Sequence, residues 1–101
     1  MPKLFVISLG GSLINPGQID VAFLTKFRAL MTNRIKKGDR FILITGGGRP
    51  ARDYIDALKS VTNPAANDLD WMGIAATRFN AQLVRLMFGK LAHPFVVEDP
   101  N

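Results

Sequence analysis

Two short, almost wholly apolar runs, Leu4–Leu9 (LFVISL) and Phe41–Thr45 (FILIT), each stop at a cluster of glycines. Runs of this length, rich in β-branched residues, read as buried strands, and the glycines as the turns that end them. Between the two, Asn15-Pro16-Gly17 is loop chemistry. Asp20 then opens a helix whose apolar stripe is Phe23, Leu24, Phe27, Leu30, Met31 and Ile35, with Gly38 just past its end. After the second strand, Pro50 suits a first helical turn, which predicts a helix over about Pro50–Lys59. Val61–Asn67 contains Asn-Pro and reads as a loop. A longer helix opens near Asn67 or Asp68 and carries Leu69, Met72, Ala76, Phe79, Leu83 and Leu86 at helical spacing up to Gly89. A third apolar run, Phe95–Val97, follows His93-Pro94 and breaks off at Glu98-Asp99-Pro100-Asn101.

The resulting order, β-α-β-α-α-β with uninterrupted apolar strands, predicts an α/β fold: a parallel sheet covered by helices on both faces. With 101 residues, the chain reads as one domain over 1–101. Three strands make a thin sheet, so the expectation is part of a larger fold.

Composition narrows the class. The chain is 48% apolar and 21% charged and has no cysteine, which excludes a disulfide scaffold and a thiolate zinc site. No apolar run approaches the ~20 residues of a membrane span, and the N-terminus lacks the features of a signal peptide. A cytoplasmic protein with no membrane partner is expected. The formal charge of +5 invites a nucleic-acid reading, but the basic residues are spread along the chain. The one dense stretch, Arg34, Lys36, Lys37 and Arg40, brackets a helix end, where cations complement the dipole. A solvated face is therefore preferred to a nucleic-acid surface, and a small anionic ligand also suits the charge.

The candidate chemistry lies in the glycines. Gly10-Gly11-Ser12 and Gly46-Gly47-Gly48 both follow strands and precede helices. In parallel sheets ligands bind beyond the carboxyl ends of the strands, where glycine amides and a helix N-terminus can approach an anion. Arg49 and Arg52 stand three apart on the helical turn after the second cluster, where guanidinium groups can grip a phosphate. A bland alternative is a tight turn with two solvated arginines. No Walker-type P-loop is present. Gly46–Ala51 formally satisfies the dinucleotide fingerprint, but Asp68 and Asp70, near the required distance, open a helix instead of ending a strand. A Rossmann domain is thus ranked second. His93 precedes a proline without a catalytic partner in sequence and reads as structural, and no cluster has metal-ligand spacing. Phosphoryl transfer needs positioning and charge neutralisation more than acid–base residues, which suits so sparse a chain.

Taken in order, Leu9-Gly10-Gly11-Ser12, Thr45-Gly46-Gly47-Gly48-Arg49-Pro50-Ala51-Arg52, Asp70-Trp71-Met72-Gly73-Ile74, Thr77-Arg78, Asn80-Ala81 and Phe95-Val96-Val97-Glu98-Asp99 resemble the amino-acid kinase family, specifically its archaeal-type uridylate kinases. The resemblance covers nearly all of the chain and is specific in combination. It implies a uridylate kinase of pyrimidine nucleotide biosynthesis that transfers a phosphoryl group from ATP, with Mg²⁺, to UMP. This chain would be its N-terminal, acceptor-binding half. Gly47 would contact the UMP phosphate and Asp70 the ribose. Gly10, Gly11, Ser12, Gly48 and Arg52 would approach the transferring phosphates, with Arg52 catalytic. The helix carrying Thr77, Arg78 and Asn80 resembles one that packs between subunits, which implies a homo-oligomer in the full-length form; a core-facing amphipathic helix is the plainer reading. Ser8 departs from the pattern where many family members place a lysine, a substitution that archaeal-type uridylate kinases often share. The ATP adenine pocket, further donor contacts and the rest of the uracil pocket would belong to a downstream part. Another member of the family, and a non-catalytic nucleotide- or anion-binding module paired with another chain, remain as alternatives.

Overall fold

The computed structural model describes residues 3–93, as an α/β unit built on two parallel strands. Strand β1 is Leu4–Leu9 and β2 is Arg40–Thr45; between them come a single helical turn α1, Gly11–Ile14, and helix α2, Val21–Lys36. Helices α3, Gly48–Val61, and α4, Ala66–Phe88, follow, and a 3₁₀ turn over Gly89–Leu91 closes the described chain. The strands pair in the register Phe5↔Phe41, Ile7↔Leu43, Leu9↔Thr45. Side chains alternate between faces along a strand, so these six residues share one face. Helices α2 and α4 cover it.

The core is small. Leu9, Ile14, Leu24, Met31, Val84 and Phe88 are buried, flanked by half-buried Ile7, Phe23, Phe27, Phe41 and Leu43. Burying each large side chain contributes roughly 1.5–3 kcal/mol relative to exposure. Ile14 is fully buried and anchors α1 beneath the strand ends. Phe27 connects the layers, stacked on Phe23 at 5.8 Å and edge-on to Phe88 at 6.4 Å. The Arg28 Nε donates to the Met87 carbonyl at 2.7 Å, a further tie between α2 and the end of α4.

Helix limits follow from local chemistry. The Asp20 carboxylate accepts the Phe23 N–H at 3.0 Å and caps α2 as its sequence position indicates. Gly38, at φ +99°, reverses the chain after the last turn. At the head of α4 the Asp68 carboxylate accepts the Ala65 N–H at 3.2 Å. Helix α3 starts at Gly48, two residues before Pro50, whose missing N–H still falls among the first-turn donors that lack partners.

Three departures from the sequence reading stand out. Gly11-Ser12 does not only turn the chain but starts α1, a helix too short to carry a periodic signal. The inward face of α4 is Asn80, Val84 and Phe88, about one residue further round than the apolar repeat indicates, and Phe79 and Leu86 are exposed. Leu30 likewise leaves the α2 stripe for the surface. Helices were expected on both faces of the sheet; among the described residues they cover one, and Leu4, Val6, Ile42 and Ile44 on the other are at least half exposed. The third strand expected at Phe95–Val97 lies outside the described residues. Among those described, no helix is long and apolar enough to cross a membrane.

Candidate functional site

The two glycine clusters meet. At the carboxyl ends of β1 and β2 the chain at Gly11 lies directly on the chain at Gly46–Gly48: a Cβ on Gly11 would overlap the Gly48 nitrogen and come within 2.7 Å of the Gly46 carbonyl carbon. The reverse contact is equally close, since a Cβ on Gly48 would sit 2.5 Å from the Gly11 oxygen. Gly48 also holds φ at +67°, a left-handed conformation that side chains disfavour. Space alone requires glycine at Gly11, while space and backbone conformation together require it at Gly48. One further backbone bond, from the Arg49 N–H to the Asn15 carbonyl at 3.3 Å, ties α1 to the head of α3.

Helix α4 forms the other wall. Gly73, Thr77 and Asn80 fall on one helical face, and that face meets the glycine loop. A Cβ on Gly47 would lie 3.4 Å from the Thr77 hydroxyl and 3.5 Å from the Gly73 carbonyl. The Thr45 hydroxyl donates to the Thr77 carbonyl at 3.4 Å. Asn80, only 6% exposed, donates through Nδ2 to the carbonyls of Gly46 and Gly47 at 2.8 and 3.1 Å.

The charged candidates sit around this centre. Arg52, exposed on α3, lies one turn after Gly48, and helical Cα–Cβ bonds lean toward the N-terminus, which directs its arm back over the loop. It makes no ion pair among the described residues. Arg49 differs: its Nε donates to Asp53 at 3.0 Å along the helix surface. The two arginines therefore do not form an equivalent pair. Asp70 is exposed one turn before Gly73 on the loop-facing side of α4. Ser12 and Gly10 are exposed at the head of α1. His93 is exposed at the end of the described chain, away from these elements in sequence.

Physically, the head of α3 has features that suit an anion. The first N–H groups of α3 have no intrahelical acceptors and carry the partial positive charge of the helix terminus, and glycine leaves the backbone uncovered. The dinucleotide alternative loses its ribose contact, because Asp68 and Asp70 both stand within α4 and not at a strand tip. Among the described residues no three of His, Cys, Asp and Glu converge as metal ligands. The sequence reading missed the importance of Asn80; its phase with Val84 and Phe88 is the signal that could have found it.

The two glycine turns thus interlock at the carboxyl ends of a parallel strand pair and at the head of a helix, within an α/β fold. A family model for the amino acid kinase family matches residues 3–99, and the chain belongs to that family. Among curated proteins it is similar to the uridylate kinase of Thermococcus sibiricus, 39% identical over 94 residues, covering 93% of this chain and 41% of the relative. The uridylate kinase of Thermoplasma acidophilum is 42% identical over 101 residues, covering 98% of this chain and 43% of the relative. That of Pyrococcus abyssi is 34% identical over 94 residues. The chain thus spans about two-fifths of the length of these relatives.

Proposed function

We propose that this chain is the acceptor-binding part of a uridylate kinase, working in phosphoryl transfer from ATP to UMP. The observation that carries the reading is the interlock of the two glycine turns at the head of α3, with Arg52 one helical turn further on. The kinship with uridylate kinases supplies the nucleotide. In the reaction an oxygen of the UMP phosphate bonds to the γ-phosphorus of ATP, the bond from that phosphorus to the β,γ-bridging oxygen breaks, and UDP and ADP result. Gly47 holds the acceptor phosphate through its backbone. Gly10, Gly11, Ser12 and Gly48 line the approach of the transferring group, and Arg52 neutralises the charge that builds on it. Asp70 accepts hydrogen bonds from the ribose hydroxyls. Mg²⁺, in this reading, is carried on the nucleotide phosphates. Donor contacts and the remainder of the base pocket are assigned to the length that the relatives have beyond this match, together with assembly into a homo-oligomer.

Calorimetric titration of UMP into the chain tests the reading, with Arg52→Ala and Asp70→Ala beside it. Saturable binding is expected. A hydrogen bond to a charged group is worth roughly 1.5–3 kcal/mol, so each substitution should weaken binding about tenfold or more. Absence of binding by a folded chain, or equal binding by all three proteins, overturns the assignment of the acceptor site to this part.

A further inference from the structure

We propose that Asn80 is a positioning residue for the acceptor phosphate: by holding two carbonyls of the glycine loop against α4, it turns the loop's N–H groups towards the ligand. The proposal rests on the acceptor reading above and goes beyond it, to the device that orients the amides.

A trans peptide is planar, with its C=O and the following N–H on opposite sides, and no cis peptide occurs among the described residues. The Gly46 carbonyl shares its plane with the Gly47 N–H, and the Gly47 carbonyl with the Gly48 N–H. The Asn80 Nδ2 donates to both carbonyls, at 2.8 and 3.1 Å. Each of these bonds therefore fixes the direction of one N–H, and both N–H groups turn away from α4. A run of three glycines has more rotational freedom than any other tripeptide. Something outside it must hold the two planes, and an amide group with two N–H donors does so from a single side chain.

Burial makes this arrangement definite. At 6% exposure Asn80 stands in line with Val84 and Phe88, whose side chains are core. A polar group in such a place is costly unless it is bonded, so the two carbonyls and the amide hold one another in a single geometry. Of the neighbours, Gly73 has no side chain and the Thr45 hydroxyl is turned to the Thr77 carbonyl, not to the loop. Aspartate has nearly the shape of asparagine but, ionised, accepts only; it cannot hold either carbonyl.

The experiment is a pair of NMR amide-shift titrations, UMP and uridine, on the wild-type chain and on Asn80→Asp, with Asn80→Ala as a second variant and thermal melting to establish that each is folded. In the ligand-free variants the Gly47 and Gly48 amide signals should move while those of Phe5 and Phe41, at the far end of the strands, stay in place. UMP affinity should fall about tenfold, and uridine, which lacks the phosphate, should bind each variant as it binds wild type. A purely structural role would weaken both ligands together. Unchanged UMP affinity in a folded variant, or an equal loss for both ligands, overturns the positioning role and leaves the acceptor reading standing. Failure of the wild-type chain to bind UMP overturns the acceptor reading, and the positioning role with it.

Discussion

The two ends of the strand pair are held by different means. At the amino ends side chains do the work. Phe5 and Phe41 stack at 5.5 Å, the Arg34 guanidinium lies 5.8 Å over the Phe5 ring, and its Nε donates to Asp39 at 2.8 Å. At the carboxyl ends backbone lies on backbone, with Gly11 against Gly46–Gly48, and the Asn80 side chain reaches across from α4 to bond the loop. The difference teaches where precision resides. Side-chain contacts at a surface can be replaced by others of similar size, whereas two backbones in van der Waals contact admit nothing between them.

Substitutions can break this contrast. The largest effect is expected for Gly11→Ala. Its new methyl would overlap the Gly48 nitrogen, and a clash with backbone belongs with the exceptional substitutions that cost more than about 4 kcal/mol. Urea unfolding should show either that loss or no cooperative transition, and a stability near wild type would mean that the two turns are not in contact. Phe88→Ala comes next, at about 3 kcal/mol for a large core side chain removed. It lies in the layer between the two ends, so the same unfolding experiment should show the loss while UMP affinity of the folded fraction is kept. Smallest is Arg34→Ala. The arginine side chain is 44% exposed, and exposed ion pairs contribute less than about 1 kcal/mol; a melting temperature lowered by more than several degrees would show that the amino end depends on more than surface contacts.

Much of the fold was legible because apolar runs and turn residues coincide. Strand β1 has the limits expected of it, β2 begins one residue earlier, and Asp20 and Gly38 bracket α2 as their chemistry suggests. The parallel pairing of the strands followed from the same pattern. The misreadings have physical causes. Apolar periodicity finds the buried face of a helix only where burial is apolar; the upper half of α4 buries Asn80 and sets Gly73 and Thr77 against the loop, while Phe79 and Leu86 face outward. Wholly apolar strands suggested cover on both faces, yet Val6, Ile42 and Ile44 are half or more exposed among the described residues. Of the two arginines joined by spacing alone, Arg49 pairs with Asp53 four residues on, whereas Arg52 makes no ion pair among the described residues.

The interlock of the glycine turns also governs how this sequence can vary. Gly11 and Gly48 constrain one another, so neither can accept a side chain unless the backbone of its partner moves as well, and no single substitution achieves both. Gly10 and Gly73 are unlike them, each with open space where a Cβ would stand. Two glycines that look alike as letters, adjacent at Gly10 and Gly11, therefore differ in kind: the fold leaves room for a side chain at the first, and the second is locked to a position 37 residues away.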